Sequence, residues 1–536
     1  MERKTMTNYQ TTWDNFKWEL PQYFNYGGDV VDKWAADPNR MALIWVNEAG
    51  EEQRFTYQDI KRLSNQFANL LVANGIQKGD KVIVMLPRIP QWQIVMIGCN
   101  KVGAIPIPCV TMLREKDLAY RAKHSGAKVA VTTAAHTHKF SNKFTAKISV
   151  GASEGWLDYE TEMPNQSIQF SPVQMAMDDP AILFYTSGST GMPKGVLHAA
   201  RGLYTWRISA YYWQCFTEKD VSWCTSDTGW SKAGTSILYG PWSCGCTVLF
   251  YDGPYDPMKR LELLDKYGVT IFCAAPTEFR KLIHLEAGHL DFSKLRLTVS
   301  AGEAMNPEVV NAWKAMTGSD LLDGYGQTET IMTIVNYPCM SPKPASMGRP
   351  LPGTAAAILD EKGQINPANT SGQLAIRCPN PQLMLGYYKD EERTADSYLT
   401  VNNTQWFLTG DNAYMDEEGY IFYEGRNDDV INSSGYRIGP VEVENVLMEH
   451  EAVQECAVVA SPDKARGEVV KAFIILNPAF KGSDNLKEAL KTFTKELTAP
   501  YKYPRKIEFV DQLPKTVTGK IQRKILKEKE FRLFDG

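Results

Sequence analysis

The sequence predicts a two-domain α/β protein, and three observations carry the prediction. Its 536 residues exceed what one hydrophobic core organises, so two or more domains are expected. Short apolar runs alternate with longer amphipathic stretches up to about residue 360, the pattern of α/β layers with largely parallel strands. Beyond that point short strands separated by turn residues take over, and then a fresh α/β pattern begins.

Taken in order, "KVIVML" (81–86), "KVAVTT" (128–133), "AILFYT" (181–186) and "CTVLFY" (246–251) read as buried strands. An amphipathic helix is expected over 57–75. "MDEEGY" (415–420) reads as a hairpin turn. The last part predicts a helix over 440–450, strands over 454–461 and 470–476, a helix over 484–497 and a basic tail. The boundary falls near Gly425–Asp429, which leaves residues 428–536 as a unit large enough to fold alone.

Composition excludes several classes. Hydrophobic residues at 43% and charged residues at 22% are those of an ordinary soluble chain. A net charge of −4 implies no basic face for nucleic acid. Only Cys244 and Cys246 among the ten cysteines are close in sequence, a weak spacing for metal, so reduced thiols are expected. The N-terminus lacks the apolar core of a secretory signal, and Glu2, Asp14 and Glu19 argue against a transit peptide. No stretch is apolar enough to span a membrane. A cytoplasmic location follows as the expectation.

The stretch "YTSGSTGMPKG" (185–195) follows a strand and concentrates glycine, hydroxyls and one lysine. A glycine-rich turn leaving a strand can aim backbone N–H groups at phosphate oxygens. Thr186, Ser187, Ser189 and Thr190 add hydroxyls, Gly188 and Gly191 conformational freedom, and Lys194 a mobile charge. A Walker loop does not fit. Pro193 stands where glycine belongs and offers no N–H, and Gly195 replaces the Mg²⁺-binding hydroxyl. A Gly/Ser linker of the same composition would not follow a buried strand. An amphipathic helix is expected after the loop.

This stretch resembles the phosphate-binding signature of the acyl-adenylate-forming superfamily. Four further motifs occur in that family's order: "DGYGQTE" (323–329), "LTGD" (408–411), "GRNDDVINSSGYRIGPVEVE" (425–444) and "PKTVTGKIQR" (514–523). The resemblance implies a large N-terminal domain, 1–427, of layered α/β subdomains with a small β-rich region. It implies a mobile, smaller α+β cap domain over 428–536. ATP, Mg²⁺ and CoA are the implied cofactor and co-substrates, and a carboxylic acid is the implied small-molecule partner.

Roles carry over position by position. Ser187 to Gly191, Thr186 and Lys194 would cradle phosphate. Asp323, Gly324, Tyr325, Gly326 and Gln327 would surround adenine together with Gly302 and Glu303, Thr328 would contact the α-phosphate, and Glu329 would bind Mg²⁺. Asp411 would accept both ribose hydroxyls, a two-point contact that a lone alcohol does not match, with Arg426 beside it. Lys520 would bridge the substrate carboxylate and the α-phosphate, where two anions must meet. Thr186, Thr328, Glu329 and Lys520 form the implied catalytic set. Asp428 matches the hinge; Ser434, Gly435, Tyr436 and Arg437 would line the pantetheine tunnel, and Arg466 would meet the CoA nucleotide.

The acyl pocket is expected to involve Trp230, Gly234, Cys273, Tyr325 and Gly326. Acetate-type synthetases place tryptophan immediately before Gln-Thr-Glu; Gly326 stands there and implies room for a longer acid. The closest resemblance is to the medium-chain acyl-CoA synthetase branch. A benzoate- or aryl-CoA ligase and an acyl-AMP ligase that loads a carrier protein are the alternatives. A luciferase-like oxidase or a nucleotide-binding regulator that has lost turnover are more distant rivals. The sequence specifies no oligomeric state.

Overall fold

The computed structural model describes residues 6–186, 192–302, 305–426, 429–433, 436–463, 467–498, 502–515 and 521–535. Its first layer is a parallel sheet in the order Ile105–Pro108, Lys81–Met85, Val129–Thr133, Ala146–Val150, Leu157–Asp158. The central strands are short runs rich in valine and isoleucine, as strands covered on both faces must be. The helices Tyr57–Ala73 and Pro90–Val102 pack against each other beside it. The first starts where it does because Thr56 and Asp59 satisfy each other's backbone N–H groups.

The second layer is a fourteen-stranded mixed sheet. Met41–Asn47, Thr247–Asp252, Val221–Cys224, Ile271–Ala274, Leu297–Ala301 and Leu321–Gln327 run parallel. Antiparallel strands then continue it through Ile331–Val335, Ser346–Pro350 and Ile421–Arg426. The β-rich region is therefore not a separate sheet: Gly348 pairs with Ile421 and joins it to the large one.

The signature stretch corrects one expectation. No helix follows it directly. Lys194–Ala199 folds back as a strand, antiparallel to Pro180–Thr186, and the helix begins only at Ala200. A third strand, Gly386–Tyr387, arrives from far along the chain and pairs with Val196 and Leu197. That partner makes "KGVLHA" a strand, because its backbone groups are satisfied on both sides.

In the C-terminal part, Ile431–Ser433, Tyr436–Ile438, Gly467–Leu476, Val453–Asp463 and Lys506–Phe509 form a separate five-stranded sheet. Pro440–Met448 and Asp484–Leu497 cover it, and Val443, Leu447, Val458, Ile474 and Leu490 build its own core. The basic tail is a helix, Arg523–Asp535.

Candidate active site

Four parallel strands of the large sheet end at one cavity of about 2390 Å³, walled also by the C-terminal unit. Outside the carboxyl ends of parallel strands is where α/β sheets place ligands. The volume exceeds the roughly 300–1,000 Å³ of a single small-ligand pocket, so it has room for several substrates.

One end is built around Asp411, which is 3% exposed. Tyr325 Oη donates to its Oδ2 at 2.5 Å, Gln327 Nε2 donates to the same oxygen at 2.7 Å, and Arg426 Nη1 donates to Oδ1 at 3.1 Å. Asp411 and Arg426 face each other across adjacent strands, which explains their pairing although they lie fifteen residues apart. Burial raises the Asp411 carboxyl above its ordinary value of 3.8, and Arg426, Tyr325 and Gln327 only partly offset it.

The other end holds Thr186, Lys194, Thr328 and Glu329. Thr186 and Lys194 are register partners at the end of the hairpin where the signature stretch connects its two strands. The buried Thr186 hydroxyl has no partner among the described residues, an orphan group that an incoming phosphate would satisfy. Lys194 Nζ lies 2.7 Å from Glu329 Oε1. Burial alone would raise the Glu329 carboxyl, yet the Lys194 charge and hydrogen bonds from Lys194 and Tyr387 hold it below its ordinary value. Glu329 is thus a buried anion. No cluster of three acidic, His or Cys ligands exists among the described residues; Glu329 is a single carboxylate, the kind of oxygen ligand that could join phosphates around a hard cation.

Behind Thr328 stands His198, fully buried on Lys194–Ala199. Its Nε2 donates to the Thr328 carbonyl at 2.6 Å, and burial pushes its imidazole down to about 4, so it is neutral. Ser231 Oγ lies 3.3 Å from Thr328 Oγ1.

Asp323, Gly324, Gly302 and Trp230 line the cavity. Gly302 has φ +105°, a conformation that requires glycine. Three residues expected in the acyl pocket are placed differently from expectation. Gly234 lies behind the wall, where an added Cβ would stand 2.9 Å from Trp206 Cζ2; Trp206 and Thr235 form the surface instead. Cys273 is buried in the sheet against Cys224, and Ala275 and Thr277 beyond it reach the cavity. Gly326 does line the cavity, but an added Cβ would lie 2.1 Å from the Ile331 carbonyl oxygen. Its missing side chain makes room for backbone rather than for substrate.

Ser187, Gly188, Ser189, Thr190, Gly191, Glu303, Asp428, Ser434, Gly435, Arg466 and Lys520 lie outside the described residues. Tyr436 and Arg437 sit on a described strand, but their side chains do not belong to the described set. Lys515 and Ile521, which flank the segment carrying Lys520, form an antiparallel bridge and line the same cavity. Sequence reasoning missed Tyr387, His198 and Trp206, none of which sits in a motif that announces its role.

The family model for AMP-binding enzymes matches residues 31–388, and that for the AMP-binding enzyme C-terminal domain matches 442–520. Rat acyl-coenzyme A synthetase ACSM3, a mitochondrial protein by name, is 40% identical, over 98% of this chain and 94% of its own. Mouse ACSM1 is 41% identical over 96% and 93%. An acyl-CoA synthetase from Brucella canis shares 32% identity over 99% of this chain and 100% of its own, with a TM-score of 0.77. An anthranilate CoA ligase, AuaEII, solved with anthranoyl-AMP, shares 30% over 95% and 98%, with a TM-score of 0.87. The chain belongs to the AMP-binding enzyme family, among its acyl-coenzyme A synthetases.

Proposed function

We propose that the protein activates a medium-chain or branched apolar carboxylic acid in two steps. The acid's carboxylate attacks the α-phosphorus of ATP, pyrophosphate leaves, and acyl-AMP forms. The CoA thiol then attacks the acyl carbonyl and AMP leaves. No protein nucleophile is needed; positioning and charge neutralisation lower the barrier. Asp411 would hold the ribose, Thr186 and Thr328 the phosphates, and Lys194 the departing pyrophosphate. Mg²⁺, held through Glu329, would supply charge neutralisation on the phosphates. Lys520 would serve the first step, and Ser434, Gly435, Tyr436 and Arg437 the second, after a swing of residues 428–536 about Asp428.

The observation that carries the substrate class is the acyl wall, where Trp206, Ile331 and Met332 offer apolar surface. Of the nearby carboxylates, Glu278 accepts from Thr225 at 2.6 Å and lies 3.3 Å from Arg260, and Asp227 accepts from the Gly229 N–H at 3.1 Å, so both are already engaged. Each buried methylene adds about 0.8 kcal/mol to binding, so affinity climbs with chain length until the pocket ends. The similarity to anthranilate and benzoate CoA ligases supports an aryl acid as the second reading. Ten free thiols support a reducing compartment, which we take as cytoplasmic, although the named relatives are mitochondrial. No described helix is long and apolar enough to cross a membrane.

AMP formation with ATP, Mg²⁺ and CoA across straight, branched and aromatic acids tests the reading. A maximum at medium-chain or branched acids is expected. A maximum at benzoate moves the protein to the aryl branch, and activity with acetate alone overturns the apolar-pocket argument.

A further inference from the structure

Tyr387 belongs to no motif singled out in the sequence, yet it stands between the two charged groups at the phosphate end. Lys194 Nζ donates to Tyr387 Oη at 2.9 Å, and Tyr387 Oη donates to Glu329 Oε1 at 3.0 Å. With the 2.7 Å Lys194–Glu329 ion pair, the three groups close a ring. The placement is built rather than incidental. The backbone of Met384 donates to the Glu329 carbonyl at 2.8 Å, and that of Leu385 to the Leu197 carbonyl at 2.8 Å. Arg201 donates to the Pro381 and Leu383 carbonyls, and Thr394 accepts from the Tyr387 N–H. The ring of Tyr387 packs into an apolar cluster with Val196, Leu383, Met384 and Phe407. The hydroxyl reaches both members of the charged pair, and Lys194 Nζ also lies 4.5 Å from the ring centroid, a contact that phenylalanine would keep.

We infer that Tyr387 is a positioning residue for the pyrophosphate end of ATP, holding Lys194 and Glu329 paired before nucleotide binds and orienting Glu329 once Lys194 turns to the phosphates. The physical need is plain. Lys194 and Glu329 neutralise each other in the free protein, and ATP with Mg²⁺ must take both apart. A buried carboxylate that loses its lysine keeps a hydrogen-bond donor only if a neutral one is already in place. The phenol meets that need, because burial keeps it protonated well above its ordinary range. A phenylalanine would fill the same volume and leave Glu329 without the donor.

The inference rests on the adenylate-forming reading, and one experiment separates the two. Calorimetric binding of a non-hydrolysable Mg²⁺·ATP analogue and of a non-hydrolysable acyl-AMP analogue is measured for the wild type and for Tyr387→Phe. Thermal unfolding of both proteins is recorded alongside. The expected result is about tenfold weaker binding of the Mg²⁺·ATP analogue by the variant, the scale of one hydrogen bond to a charged group. A higher Mg²⁺ requirement should accompany it. The acyl-AMP analogue, which lacks the pyrophosphate, should bind within about twofold of wild type on the same reasoning. Equal weakening of both ligands assigns Tyr387 a merely structural role and overturns the inference. Unchanged binding of the Mg²⁺·ATP analogue overturns it too. A wild type that binds neither ligand overturns the adenylate-forming reading itself. Lys194→Met serves as the second variant. If Tyr387 orients Glu329 independently, Tyr387→Phe weakens Mg²⁺·ATP binding further in that background; if it acts only by holding Lys194, the double variant matches Lys194→Met and the inference fails.

Discussion

Asp411 and Glu329 are both buried carboxylates, and their surroundings push them in opposite directions. Glu329 has an ammonium 2.7 Å away and stays ionised below its ordinary range. Asp411 has a half-exposed guanidinium at 3.1 Å and two neutral donors, which do not offset its burial. The sign then follows. A carboxyl raised by folding favours the folded state below its unfolded value of 3.8 and becomes a cost as pH rises through the elevated folded value. Only the ionised form accepts from both ribose hydroxyls. Nucleotide affinity should therefore fall on acidification while the pH is still above 3.8. Asp411→Asn should bind an ATP analogue about tenfold or more weakly, with that pH dependence removed. Calorimetry across pH checks both; the same slope in the variant would assign the titration to another group.

At the scale of elements, the strand Leu321–Gln327 shows how a motif glycine can mislead. The pairing register with Ile331–Val335 slips between Tyr325 and Gly326, a bulge that brings the Ile331 carbonyl against Gly326. Tyr325 and Gln327, on either side of Gly326, both donate to Asp411, so the glycine lies within the strand segment that carries Asp411's neutral donors. Gly326→Ala should cost about 1–3 kcal/mol in denaturant unfolding, the range for forcing an atom into a packed site. A cost near zero would show that the two strands separate easily. Chain-length preference should respond instead to the surface that Trp206 and Thr235 form, where Trp206 Nε1 donates to Thr235 Oγ1 at 2.8 Å. The signature hairpin carries the same lesson: its second strand depends on Gly386–Tyr387, about 190 residues away, which no local window contains.

At the scale of the whole molecule, the cavity has one wall from each unit. Arg523, just beyond the lysine segment, grips Glu444 through two bonds of 2.9 and 2.6 Å, and Glu444 also accepts from the Val458 N–H at 2.7 Å. That network ties the C-terminal helix to the sheet beneath it, and it lies wholly within the C-terminal unit. It would move intact if residues 428–536 swing as a body. Lys520 would then act in one orientation only. Lys520→Ala should abolish acyl-AMP formation and leave thioester formation from supplied acyl-AMP largely intact. Separate assays of the half-reactions check this, and equal loss in both would count against alternation of the two units.

The sequence by itself determined the class of the protein, the α/β layering and most of the long elements. Asp484–Leu497 and the strands at 81–85 and 129–133 are legible because local periodicity and apolar runs report burial directly. It also placed Asp411, Tyr325, Thr328 and Glu329 in short motifs that a local window contains, and all four line the cavity. Tertiary structure alone decided which groups meet. Tyr387 reaches Lys194 and Glu329 from a distant strand, and His198 supports Thr328 across a sheet edge. Trp206 rather than Cys273 lines the cavity. Such contacts leave no periodic trace, since they arise from pairing between strands far apart in sequence, and the side chains that make them look locally like ordinary core residues.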